Sequence, residues 1–115
     1  MANVATTAPL EDIRRLVRRI VEQFHPQRVI LFGSYARGEA TRNSDVDLLV
    51  VKETNENPMH LAGLMSAALD HSLPVDIVVM TPQDLEEYRQ ERAVFATQIL
   101  KDGLVLYEAS DRGMD

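Results

Sequence analysis

Two aspartates two residues apart, Asp45 and Asp47, are the side chains of this chain best suited to chemistry. On an extended strand, residues i and i+2 share a face, and the strand rise sets them about 7 Å apart along the chain. Carboxylates at that spacing can converge on hard cations. Mg2+ takes oxygen ligands and is usually held by one or two carboxylates plus substrate phosphates. In two-metal sites the ions lie about 3.5–4 Å apart and clamp the attacking and leaving oxygens of a displacement. A solvent-facing acidic edge is the bland alternative. It meets a difficulty, because Leu49 and Val51 continue the face of Asp45 and Asp47, while Val46, Leu48 and Val50 fill the other. Both faces of the segment read as buried, where carboxylates are costly unless something positive pairs with them.

Asp76 is a third candidate. It lies within Pro74-Val-Asp-Ile-Val-Val-Met80, flanked by apolar residues, and reads as an aspartate in a buried strand. A neighbouring strand could set it beside Asp45 and Asp47, as a further metal ligand or as a general base for an attacking hydroxyl. The alternative is a strand-end aspartate capping a turn after Pro74. Gly33-Ser34 follows a short apolar run and precedes a helical turn. Glycine lets backbone approach a ligand closely, and the N–H groups of a helix start favour an anion. That suits a triphosphate, although many strand-to-helix turns contain Gly-Ser. Arg37 and Arg42 lie in the same stretch and could steady phosphates.

The elements that must position these residues are legible from periodicity. Leu10, Ile13, Leu16, Val17, Ile20, Val21 and Phe24 form the stripe of an amphipathic helix, which Pro26 ends. Val29–Phe32 reads as a buried strand, and a loop or helical turn spans Ser34–Ser44. Asp45–Lys52 reads as the second strand. Asn57-Pro58 opens a helix carrying Leu61, Leu64, Met65, Ala68 and Leu69. Pro74–Met80 is a third strand. Thr81-Pro82-Gln83-Asp84 opens another helix with a capping hydroxyl. Its pattern continues, with a break near Gln90, to Lys101, and Gly103 stops it. Leu104–Tyr107 completes the set as a short strand. The order predicts an α/β (α+β) fold, a small mixed sheet of three to four strands flanked by helices. Residues 1–8 read as a flexible arm, 9–108 as one domain and 109–115 as a flexible tail.

Bulk properties narrow the class. The chain has 115 residues, enough for one domain. It has no cysteine, which removes disulfides, thiolate metal sites and cysteine nucleophiles. No apolar run approaches the length of a membrane span, and the first nine residues carry no signal-peptide pattern, so the expected location is cytoplasmic. The net charge of −6 disfavours direct nucleic-acid binding. Arg14, Arg15, Arg18 and Arg19 read as a solvated helix face paired with Glu11, Asp12 and Glu22 at three or four residues; docking of an acidic partner is the other reading. His25, His60 and His71 show no metal-ligand spacing and read as surface or cap residues. Met59, Met65 and Met80 read as core or helix-flank filling.

Gly33-Ser34, ten residues, Asp45-x-Asp47, and then a third strand aspartate after a helix together resemble the nucleotidyltransferase superfamily that includes DNA polymerase β. The short length and the Gly33-Ser34-Tyr35-Ala36-Arg37-Gly38 wording resemble its minimal nucleotidyltransferase (MNT) branch, over roughly Val29–Met80. The resemblance implies that Gly33 and Ser34 bind the triphosphate of ATP, and that Asp45 and Asp47 bind two Mg2+ ions. The same resemblance implies that Asp76 completes the metal and base site. Small stand-alone MNT proteins resemble the antitoxins of HEPN/MNT toxin–antitoxin pairs. There the HEPN partner is an RNase toxin, silenced by transfer of AMP to a tyrosine. The implied state is a hetero-oligomer with such a toxin. Two alternatives differ in class. One is an aminoglycoside-type small-molecule nucleotidyltransferase, although those enzymes normally carry an extra helical domain. The other is a non-catalytic antitoxin that neutralises its partner by contact alone.

Overall fold

A computed structural model describes residues 10–69, 73–92, 99 and 101–109. Among these residues the chain runs α1 (Leu10–Phe24), β1 (Arg28–Phe32), α2 (Ser34–Arg37), β2 (Val46–Val51), α3 (Pro58–Ala68), β3 (Val75–Met80), α4 (Pro82–Glu91) and β4 (Leu104–Glu108). The strands form one mixed sheet in the order β3-β2-β1-β4. β1 is antiparallel to both of its neighbours, and β2 is parallel to β3.

The two strands that are apolar on both faces take the centre. Val29 pairs with Val50, Ile30 with Leu49 and Leu31 with Leu48. This register sends Val29, Leu31, Val46, Leu48 and Val50 to one face, where Ile13, Leu16, Val17 and Ile20 of α1 and Leu61 and Met65 of α3 cover them. Ile30, Leu49 and Val51 go to the other face, packed with Phe32, Val78, Met80 and Leu85 of α4. Because side chains alternate along a strand, a one-residue slip of β2 would exchange these sets. It would also drive Asp47 into the larger core. The core therefore fixes where Asp47 points.

Helix ends follow local chemistry. α1 stops because His25 takes a left-handed conformation, φ 53°, before Pro26, and its N–H donates to the Val21 carbonyl at 3.0 Å. His25 is thus a cap residue, as expected. Arg14, Arg15, Arg18 and Arg19 are exposed along α1, and Arg15 pairs with Asp12 at 2.9 Å. Asn57 caps α3, its side-chain oxygen accepting from the Met59 and His60 amides. Replacing an N-cap asparagine with alanine costs typically about 1 kcal/mol. Asn57→Ala is accordingly expected to lower stability by about that amount in urea unfolding, with no loss of transfer activity. Thr81 and Asp84 form a reciprocal capping box at the start of α4. α4 ends at Glu91, beside the break expected near Gln90. Much of the expected continuation, 93–98 and 100, lies outside the described residues, as do His71, the 1–8 arm and residues 110–115 of the tail. Gly103 closes the segment, its N–H donating to the Ile99 carbonyl at 2.8 Å.

Met59, expected as core or helix-flank filling, and Leu64 of the expected α3 stripe are exposed. Two expectations about the acidic residues also need correction. The second strand begins at Val46 rather than Asp45, so Asp45 precedes the ladder instead of belonging to it. Asp76 is exposed rather than buried, because β3 is an edge strand of the described sheet.

Candidate active site

Asp47 is the centre of the site. It pairs with Phe32 of β1 on one side and with Asp76 of β3 on the other. Neighbouring strands lie about 4.8 Å apart, so the in-register parallel pairing sets two carboxylates side by side. Asp45 leads into the same strand two residues earlier. The electrostatics report the convergence. Burial first, then the Asp76 and Asp45 carboxylates, raise the Asp47 carboxyl above its ordinary value, while Arg37 pulls it down. Three acidic groups and one guanidinium therefore share a field at one end of the sheet.

The strand-to-helix corner closes over this cluster. Gly33 has φ 76° and ψ −155°, a region open essentially to glycine alone. A Cβ at this position would collide with Asp47 Oδ2 and lie 3.1 Å from its Cγ. The corner is thus a cradle in which backbone lies directly against the Asp47 carboxylate. Ser34 starts α2 immediately after it, and the Ala36 and Arg37 amides donate to the Gly33 carbonyl, both at 3.1 Å. Gly38, left-handed at φ 74°, ends the helix. Gly33, Asp45, Asp47, Asp76 and Arg37 are brought together; Arg42 lies exposed in the following turn and is not among the groups that perturb Asp47.

Two features of the loop are not singled out by motif spacing. Glu39 accepts from Arg37 Nε at 3.0 Å, and its own N–H donates to the Ser34 carbonyl at 2.8 Å. Thr41 and Ser44 lock a turn ahead of Asp45. The Thr41 amide donates to Ser44 Oγ at 2.8 Å, and the Ser44 amide donates to the Thr41 carbonyl at 3.0 Å. The signal available for the second was a hydroxyl pair three residues apart before the acidic motif, the pattern of a side-chain-closed turn.

Residues 15–112 match the family described as polymerase β, nucleotidyltransferase. The chain belongs to that family. It is 32% identical over 83 residues to a candidate protein adenylyltransferase of Methanocaldococcus jannaschii, covering 70% of this chain and 78% of that one. A second candidate protein adenylyltransferase of the same organism is 37% identical over 54 residues; the match covers 46% of this chain and 54% of the relative, so the chain aligns with only about half of that relative's length. The fold is also that of a candidate nucleotidyltransferase from Sulfolobus solfataricus, with TM-score 0.61 and 22% identity over 89% of this chain and 82% of that one. A toxin–antitoxin structure with AMP-PNP contains a chain of the same fold, with TM-score 0.57 and 24% identity over 88% of this chain and 77% of that one. No helix among the described residues is long and apolar enough to cross a membrane.

The residues suit a hard divalent cation chemically. The donors are carboxylate oxygens, their mutual repulsion marks a place where positive charge is favoured, and the Gly33 cradle leaves Asp47 uncovered by any side chain at that position. Among the described residues, no three acidic or imidazole side chains are gathered tightly enough to form a ready-made metal cage. Mg2+ usually keeps several waters and takes further oxygens from substrate phosphates, so such a cage is not what this chemistry requires.

Proposed function

We propose that the protein is a Mg2+-dependent adenylyltransferase that moves AMP from ATP to a hydroxyl of a partner protein. The observation that carries this reading is the in-register placement of Asp47 beside Asp76 under the Gly33 corner. Asp45, Asp47 and Asp76 would hold Mg2+, two ions in all, which when bound neutralises charge on the phosphates and on the leaving pyrophosphate. Gly33 and Ser34 receive the triphosphate, and Arg37 supports it from the end of α2. The acceptor oxygen forms a bond to the α-phosphorus as the bond from that phosphorus to the bridging oxygen of pyrophosphate breaks. Asp76, exposed beside Asp47, takes the hydroxyl proton. Positioning and charge stabilisation supply most of the rate.

The partner is a HEPN-type RNase toxin and the acceptor a tyrosine, so that transfer makes this chain the antitoxin of a hetero-oligomeric pair. Support comes from relatives called candidate protein adenylyltransferases and from the shared fold of a toxin–antitoxin structure solved with AMP-PNP.

The test is transfer of label from α-32P-ATP with Mg2+ to proteins in a lysate of the source organism. One labelled band, present with wild type and absent with Asp45→Asn/Asp47→Asn, is the expected result, and its mass identifies the acceptor. Label on no protein, with pyrophosphate released in response to an aminoglycoside, would sink the protein-acceptor reading. Protection against the partner by Asp47→Asn equal to wild type would make the chain a binding antitoxin instead. Arg37→Glu is expected to weaken AMP-PNP binding by about 10- to 100-fold, the loss of one charge-assisted contact; isothermal titration with unchanged affinity would remove Arg37 from the phosphate site.

A further inference from the structure

Asp45 stands outside the β ladder. The β2–β3 pairing starts at Val46, whose N–H donates to the Pro74 carbonyl at 2.9 Å, and the β1–β2 pairing reaches only Phe32 and Asp47. Asp45 is also exposed, so core packing does not hold its side chain. What precedes it is a four-residue turn closed on itself. Ser44 Oγ accepts from the Thr41 amide at 2.8 Å, and the Ser44 amide donates back to the Thr41 carbonyl at 3.0 Å. Thr41 Oγ1 accepts from the Asn43 amide at 3.3 Å and lies 3.4 Å from Ser44 Oγ. Ser44 is the last residue of this clasp and the one bonded directly to Asp45, while Val46 is the first residue of the sheet. Asp45 therefore stands between the first residue of the sheet and the last residue of the Thr41–Ser44 turn, which the Ser44 hydroxyl helps to close.

We infer that Ser44 is a positioning residue. Through the Thr41–Ser44 clasp it sets the direction in which Asp45 meets the nucleotide and its cation. This rests on the nucleotidyl-transfer reading of the site. It assigns Ser44 no contact with substrate; it acts through Asp45 alone, as groups behind a metal ligand commonly do, where their loss costs about 10- to 100-fold in metal affinity or activity.

The experiment uses the full 115-residue chain. Mn2+ is titrated in the presence of AMP-PNP, the bound ion is followed by water-proton relaxation, and AMP-PNP affinity and thermal stability are measured in parallel. Ser44→Ala is expected to weaken Mn2+ binding about ten-fold while shifting AMP-PNP affinity measured without metal by less than about two-fold. Ser44→Thr, which keeps the hydroxyl, restores Mn2+ binding. In an Asp45→Asn background, Ser44→Ala adds no further loss, because two residues acting as one unit are not additive. Mn2+ binding by Ser44→Ala equal to wild type overturns the inference, as does a Ser44→Ala loss that simply adds to that of Asp45→Asn. Wild-type protein that binds no Mn2+ with AMP-PNP overturns the nucleotidyl-transfer reading, and this inference with it.

Discussion

Asp47→Asn is expected to lower label transfer by about 1,000-fold and to leave the fold as stable as wild type or more so. The loss of rate follows from removing the carboxylate nearest the centre of the cluster. Metal-assisted charge stabilisation is worth several kcal/mol, and each 1.36 kcal/mol is a factor of ten. The gain in stability follows from the same geometry. Burial and two neighbouring carboxylates hold the Asp47 carboxyl above its ordinary value, so the folded protein binds that proton more tightly than the unfolded chain does. Below the ordinary aspartate value the side chain is neutral in both states and the charge penalty is absent. As the pH rises through the raised folded value, the charge develops next to Asp76 and Asp45 and stability falls. Asparagine has no such charge. Thermal unfolding followed from about pH 4 to pH 7 should show wild type losing stability across the acid end of that range and Asp47→Asn losing less. A variant that melts well below wild type at neutral pH would show that Asp47 holds the fold together instead of straining it.

Gly33→Ala carries the second large effect, through backbone and contact together. The conformation at Gly33 costs other residues about 1–3 kcal/mol, and the added methyl group collides with the Asp47 carboxylate. The expected outcome is a loss of about 2–3 kcal/mol in urea unfolding together with a loss of transfer of about 100-fold, because Asp47 must swing aside and misplacement near the chemistry is costly. Gly38→Ala is the matched comparison. Gly38 is left-handed too, but a Cβ there meets nothing within 4 Å, so a cost of about 1 kcal/mol with transfer largely kept is expected. Equal loss of activity in the two variants would mean that the Gly33–Asp47 contact is not part of the site.

The chain displayed its acidic motif and its elements openly. Apolar periodicity places α1 and α3, the run Val29–Phe32 gives all of β1 but its first residue, Arg28, and Pro74–Met80 contains β3, because burial writes a period into sequence. Strand order was not legible. Nothing in β3 alone says that it pairs parallel to β2, and only that pairing sets Asp76 against Asp47. The apolar neighbours of Asp76 suggested burial, yet an edge strand leaves it exposed. Asp45 looked like the first residue of a strand because its face continues through Asp47 and Leu49; hydrogen bonding begins one residue later, where Val46 meets Pro74. The Arg37–Glu39 pair was also hidden. Residues two apart do not face each other on a helix; these two meet because Gly38 turns the chain between them.

The parallel pairing of β2 with β3 also bears on how the molecule assembles. The two strands are joined by a crossover that includes α3, so Asp47 and Asp76 become neighbours only after that loop of chain has closed. Such non-local contacts are slow to form, since closure entropy precedes the contacts that reward it. On the proposed function, a nucleotide site drawn from both strands would therefore be absent from early, partly collapsed states. Ligand that binds only the completed pairing stabilises the native state by mass action. If the pairing is also incomplete in the folding transition state, the gain falls on the unfolding rate and folding is hardly accelerated. In a cell, a chain loaded with nucleotide would then be one that lasts longer, rather than one that matures sooner.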